Sequence, residues 1–189
     1  MERIIYLQRI GRLDQSLLIN LKSHLERELN EFKVLVKINK DQITLTKSEY
    51  DKSKEQFNAF KLLKRIKREF LNEDFFRILG IIDKDIYAKK HNFVFGLSNM
   101  RSGVAIISIT RLRGSFYKDT SILYKKHEIR KDVEYRILKE AIHELGHTFG
   151  LGHCSNLCVM HFSDSLLEID KKVPEFCESC LNILKGILN

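Results

Sequence analysis

The sequence predicts a mixed α/β fold, a mostly parallel sheet with helices packed on it, in a single domain. Two observations lead there: the chain opens strand, helix, strand, and further apolar strand candidates recur between amphipathic helical stripes. At 189 residues it is long enough for one well-buried domain and short for two independent ones.

The elements follow in order. "RIIYLQR", residues 3–9, reads as the opening strand, after which Asp14 can cap a helix carrying Leu18, Leu21, Leu25 and Leu29 on one stripe. "FKVLVKI" (32–38) and "QITLTK" (42–47) read as strands, rich in β-branched residues and separated by a polar turn from Asn39 to Asp41. A second helix is expected from about Ser53 to Asn72, with Leu63, Ile66 and Phe70 at helical spacing and Lys and Arg around them. "FRILGII" (76–82), "NFVFGL" (92–97) and "GVAIISITRL" (103–112) complete the strands, with Gly96, Ser98, Asn99 and Gly103 marking the turn between the last two. A polar loop from Arg113 to His127 has no assigned structure. From about Asp132 a third helix begins, its core stripe being Tyr135, Leu138, Ile142, Leu145 and Phe149.

Composition removes several classes of function. No apolar run has signal-peptide length or approaches the roughly 20 residues of a membrane span, so a cytoplasmic protein without a membrane partner is expected. The formal net charge of +8 raises the question of an acidic partner. The densest basic stretch is the second helix, however, where Lys and Arg read as a solvated face rather than a nucleic-acid surface, and no aromatic-rich RNA-binding motif accompanies it. A monomer is expected.

The chemistry is concentrated in "HELGHTFGLGHCSNLCVM", residues 143–160. His143 and His147 stand four residues apart, about 40° around a helix axis and one turn along it, so both imidazoles can reach one ion. Glu144 is turned about 100° from His143, wrong for a third ligand but suited to a water on that ion. Gly150 and Gly152 supply a bend, since glycine past the last apolar helical residue adopts the left-handed conformation that stops a helix. The bend brings His153 to the metal. Three neutral imidazoles leave the fourth position of a zinc ion open, which separates a catalytic site from a closed structural one.

His143, Glu144, His147, Gly150 and His153, followed by Met160, resemble the metzincin signature and its methionine turn. Cys154, Cys158 and the Cys177/Cys180 C-x-x-C pair narrow the resemblance to the archaemetzincins. The resemblance implies a metzincin-like fold with an antiparallel edge strand, an active-site helix and a small zinc-stapled C-terminal subdomain, the division falling between residues 1–152 and 153–189. It implies a zinc metallopeptidase acting on peptide or protein substrates, with "GVAIISITRL" as the edge strand lining the cleft. Glu144 would take the water proton and pass it to the leaving amine. Aminopeptidase and endopeptidase action both stay open. So does a non-catalytic zinc protein that binds peptide or nucleic acid.

Both cysteine spacings let two thiolates converge on one ion, so Cys154, Cys158, Cys177 and Cys180 are read as a structural zinc site, with disulfides and free thiols as the alternatives. Two zinc ions per chain are expected, one catalytic and one structural. His153 and Cys154, as neighbours, should point to different sides of the chain. Met160 is expected as an apolar floor under the histidines, not as a ligand. Phe162 occupies the position where some metzincins carry a zinc-binding tyrosine and cannot take that role; His161 is a candidate substitute donor against an ordinary histidine. All four cysteines lie after residue 153, so latency through an N-terminal cysteine capping the zinc is not expected. The Arg113–His127 loop would then be the element that limits access.

Overall fold

Along the chain run β1 (Arg3–Ile10), α1 (Gln15–Glu28), β2 (Val34–Ile38), β3 (Tyr50–Asp51), β4 (Gln56–Asn58), α2 (Ala59–Glu69), β5 (Arg77–Ile82), β6 (Ile86–Tyr87), β7 (Gly96–Asn99), β8 (Val104–Ser108), α3 (Arg130–Phe149), α4 (Leu166–Lys171) and α5 (Glu178–Leu188). This is a computed structural model that describes residues 2–89, 91–117 and 130–188. The main sheet has the order β2-β1-β5-β8-β7, parallel throughout except for β7, which runs antiparallel to β8 at the edge. A small second sheet, β3-β4-β6, lies beside it.

Side-chain alternation places the two layers. Ile5, Leu7, Leu79, Ile81, Ala105 and Ile107 enter a cluster with α1 and α3, while Ile10, Ile78, Ile82, Val104 and Ile106 enter a second one with α2. Strands covered on both faces read as unbroken apolar runs, as β5 and β8 do. The first cluster also contains Val159, Met160, Leu166, Ile169, Phe176 and Leu184, so the C-terminal stretch is packed against the active-site helix.

The first helix forms as expected: Asp14 accepts from the Ser16 amide, and Leu18, Leu21, Leu25 and Leu29 are buried. In α2, Leu63 and Ile66 are buried, as is Phe70 at its C-terminal cap, while Lys61, Lys64, Lys67 and Arg68 are exposed, the solvated basic face the pattern predicts. That helix starts later than expected. Gln56 and Phe57 pair with neighbouring strands, and Asn58 caps the helix by accepting from the Lys61 amide.

Two strand expectations fail. "QITLTK" makes only an isolated bridge, Ile43 to Ile10, because Thr46 gives both its amide and its hydroxyl to the Glu49 carboxylate in a local loop. "GVAIISITRL" is not the edge: Val104–Ser108 is buried at every position, between β5 and β7. The edge is the short Gly96–Asn99, whose half-exposed polar sequence suits a strand with one free side. Most of the Arg113–His127 loop, and with it the expectation about access, lies outside the described residues. Among the described residues no helix is long and apolar enough to cross a membrane.

Candidate metal centres

The active-site helix ends at Phe149, and Gly150 (φ 106°) makes the turn, its amide and that of Leu151 bonding back to His147 and Gly146 carbonyls. Gly152 takes no left-handed conformation, so the bend predicted at two glycines rests on one. The result brings His143, His147 and His153 together, their candidate ligand atoms all within 4.8 Å of one another.

Backbone carbonyls orient two of the rings. His143 Nδ1–H donates to Val159 O and His147 Nδ1–H to Leu151 O, each at 2.8 Å. With those protons committed, the two Nε2 atoms face each other at 3.1 Å with lone pairs opposed, an arrangement that a cation between them resolves. The N···N edge of a tetrahedral zinc site is about 3.3 Å for bonds of 2.0–2.1 Å. His143 is buried, His147 half-buried and His153 exposed. Burial holds all three imidazoles below the ordinary histidine range, which keeps them neutral and fit for a metal.

Glu144 sits against the edge strand. A Cβ on Gly96 would lie 2.6 Å from Glu144 Oε1 and 2.5 Å from its Cγ, so only glycine lets the strand approach the carboxylate this closely. Burial pushes the Glu144 carboxyl up to about 8, Glu140 adding to the push and Ser98 and Lys172 opposing it. Its Oε2 is buried and has no hydrogen-bond partner among the described residues. Such an atom is costly unless something occupies the space before it.

Met160 is fully buried beneath the helix, where a Cβ on Gly146 would run into its Sδ. The methionine and the helix glycine therefore fit one another. The Phe162 ring stands edge-on to His153 at 5.1 Å between centroids and lines the same cleft. His161 is exposed and lines a different depression beside Cys158, so it does not replace the missing tyrosine.

The four cysteines form the second cluster, their sulfurs also within 4.8 Å of one another. Cys154–Cys177 and Cys158–Cys180 are each 3.7 Å apart, too far for disulfides at about 2.05 Å and matching the roughly 3.75 Å edge of a tetrahedron with Zn–S bonds near 2.3 Å. Amides of Met160 and Cys177 donate to Cys158 Sγ, and Asn156 Nδ2 donates to Cys177 Sγ. The Asn156 contact leads in holding the Cys177 thiol down to about 6, while burial pushes Cys158 and Cys180 up. A cation is what lets all four become thiolates together.

Sequence reasoning missed the parts contributed from a distance. Arg136 forms a bidentate pair with Asp170, and Lys139 Nζ donates to the Ile169 and Asp170 carbonyls, tying α4 to the active-site helix. Glu140 and Glu144 both line the cleft of about 720 Å³ that holds the histidines. None of Gly96, Arg136, Lys139 or Glu140 carries a spacing signal of its own; the helical period places Glu140 on the His143 face but cannot say that a cleft lies there.

The family model for peptidase family M54 matches residues 3–186. The archaemetzincin of Methanopyrus kandleri is 36% identical over 170 residues, covering 89% of both chains. Among solved structures, a zinc-dependent peptidase from Methanocorpusculum labreanum superposes with a TM-score of 0.79 at 29% identity, over 98% of this chain and 100% of the other. An archaemetzincin from Archaeoglobus fulgidus, complexed with malonate, gives 0.75 at 31% identity over 95% and 98%.

Proposed function

The chain belongs to peptidase family M54, the archaemetzincins, and is a zinc metallopeptidase; from that premise we propose that His143, His147 and His153 hold the catalytic zinc and Glu144 is its general base. Membership in a hydrolase family sets aside the purely binding, non-catalytic reading.

When bound, zinc supplies Lewis acidity, lowering the pKa of a coordinated water and polarising the scissile carbonyl of a peptide. The chain does the rest. Two backbone carbonyls fix the His143 and His147 tautomers, so Nε2 is the coordinating atom on both. Glu144 accepts the proton of the attacking water and passes it to the leaving amine, which closes the proton balance of hydrolysis. The single observation that carries this role is the buried, unpartnered Glu144 Oε2 beside the three imidazoles. A cation at those imidazoles would draw the carboxyl down from about 8 into its basic form.

The cysteine quartet holds a structural zinc in the same reading, giving two ions per chain. Its 3.7 Å sulfur separations support it. Digestion of a peptide library by wild type and Glu144→Gln tests the enzyme reading and shows whether cleavage begins at amino termini. Loss of cleavage by a factor of about 10² to 10⁴ is expected. Cleavage by the variant at the wild-type rate would overturn it.

A further inference from the structure

The cleft contains more acid than the proposed reaction uses. Glu140 lies one helical turn before His143 and Glu144, so its side chain shares their face, with about 5–6 Å between Cβ atoms. It lines the cleft with His143, Glu144 and His147, and is only 5% exposed. Its carboxylate has no hydrogen bond or ion pair among the described residues. A buried carboxylate without a partner is costly to keep. Lys172, the cation that acts on it most, makes no ion pair with it, and the two basic residues nearest in sequence, Arg136 and Lys139, are spent on α4.

The missing partner has a definable chemistry. Glu140 lines an open cleft with little of its own surface exposed, which suits a compact cation with several donors and not an extended, solvated one. In a peptide whose scissile carbonyl sits at the histidine centre, the α-nitrogen of the same residue is only two bonds away, about 2.5 Å. A carboxylate one helical turn from the metal ligands is thus within reach of an ammonium on that residue. The geometry points to Glu140 as a specificity-determining residue that binds a primary ammonium group of the substrate beside the scissile bond. The inference rests on the peptidase reading. Its two sources in a peptide are the free amino terminus and a lysine side chain.

Calorimetric titration of the zinc-loaded protein separates them without requiring turnover. Three probes share a zinc-binding hydroxamate: leucine hydroxamate carries an α-ammonium, N-acetyl-leucine hydroxamate carries none, and Nα-acetyl-lysine hydroxamate carries one on the side chain alone. Wild type is expected to bind one of the two cationic probes at least tenfold more tightly than the neutral one. Tight leucine hydroxamate assigns Glu140 to the amino terminus; tight acetyl-lysine hydroxamate assigns it to a side-chain pocket. In Glu140→Gln the preference disappears while the neutral probe binds as before, and Glu140→Asp, which keeps the charge, retains part of it. Equal binding of all three probes by wild type, no binding of any, a preference that survives in Glu140→Gln, or a uniform weakening of every probe overturns the inference. Failure of the peptidase reading registers separately, as peptide cleavage indifferent to Glu144→Gln.

Discussion

Three imidazoles converge at a cleft with His153 exposed, whereas four thiols converge where Cys158 and Cys180 are buried in the core. One residue step, from His153 to Cys154, separates the two clusters. At the first, neutral ligands around Zn(II) would leave a charge of about +2 and an open position; at the second, four thiolates would bring it to about −2 and close the shell. The chain supports each accordingly. Carbonyls aim the histidine rings by taking their Nδ1 protons, and amides donate to the Cys158 sulfur, where they would stabilise a thiolate. Ligand charge and the polarity of the backbone groups behind it, more than distance along the chain, would then divide a reactive centre from a structural one.

That division breaks if the two centres are one energetic unit. The largest effect is expected at the cysteines. Cys158→Ser should lose one zinc equivalent and several kcal/mol of stability, a fall of about 10–20 °C in thermal midpoint, because in the proposed reading the ion would hold the methionine turn to the C-terminal helix. His147→Ala should lose the other equivalent and the activity while shifting the midpoint by only about 5 °C or less. Metal analysis with a thermal melt checks both. Loss of both ions in either variant would dissolve the distinction.

A smaller effect sharpens the reactive side. Gly96→Ala forces Glu144 away from the edge strand and should lower kcat by about 10- to 100-fold, some 1.4–2.7 kcal/mol, with both ions retained. An unchanged kcat would show that the strand does not set the carboxylate's position. The smallest effect is the acid response. Folded pKa values of the three imidazoles lie below their unfolded ones, so their contribution to stability is complete above about pH 6.5 and is lost as pH falls through the folded values. In Cys177→Ser, zinc retained by the histidines should hold steady from pH 7.5 to 6.5 and decline only below that, measured by equilibrium dialysis.

The two side-chain clusters were legible in the sequence because each is written at short range. His143 and His147 share a face by the helical period, Gly150 turns the chain, and both cysteine pairs have spacings that converge on one point. The strand candidates β5 and β8 were legible too, as apolar runs buried on both faces. Which strand forms the edge was not. Gly96–Asn99 lies outermost only because β8 pairs on its other side with β5, a choice made between residues far apart in the chain. Likewise the helix C-terminal to Cys177 has no bearing on the site until Phe176 and Leu184 join the core beneath α3.

Sequence by itself therefore determined the two candidate ligand sets, the helix that carries two of the histidines, and the α/β class, since these follow from local periodicity and donor chemistry. Tertiary structure alone decided that Gly96 abuts Glu144, that Val159 and Leu151 carbonyls aim the histidines, that Arg136 and Lys139 face away toward α4 and that Glu140 faces the cleft. Those contacts join elements whose relative placement is set by burying both faces of one sheet, and burial is a property of the whole chain.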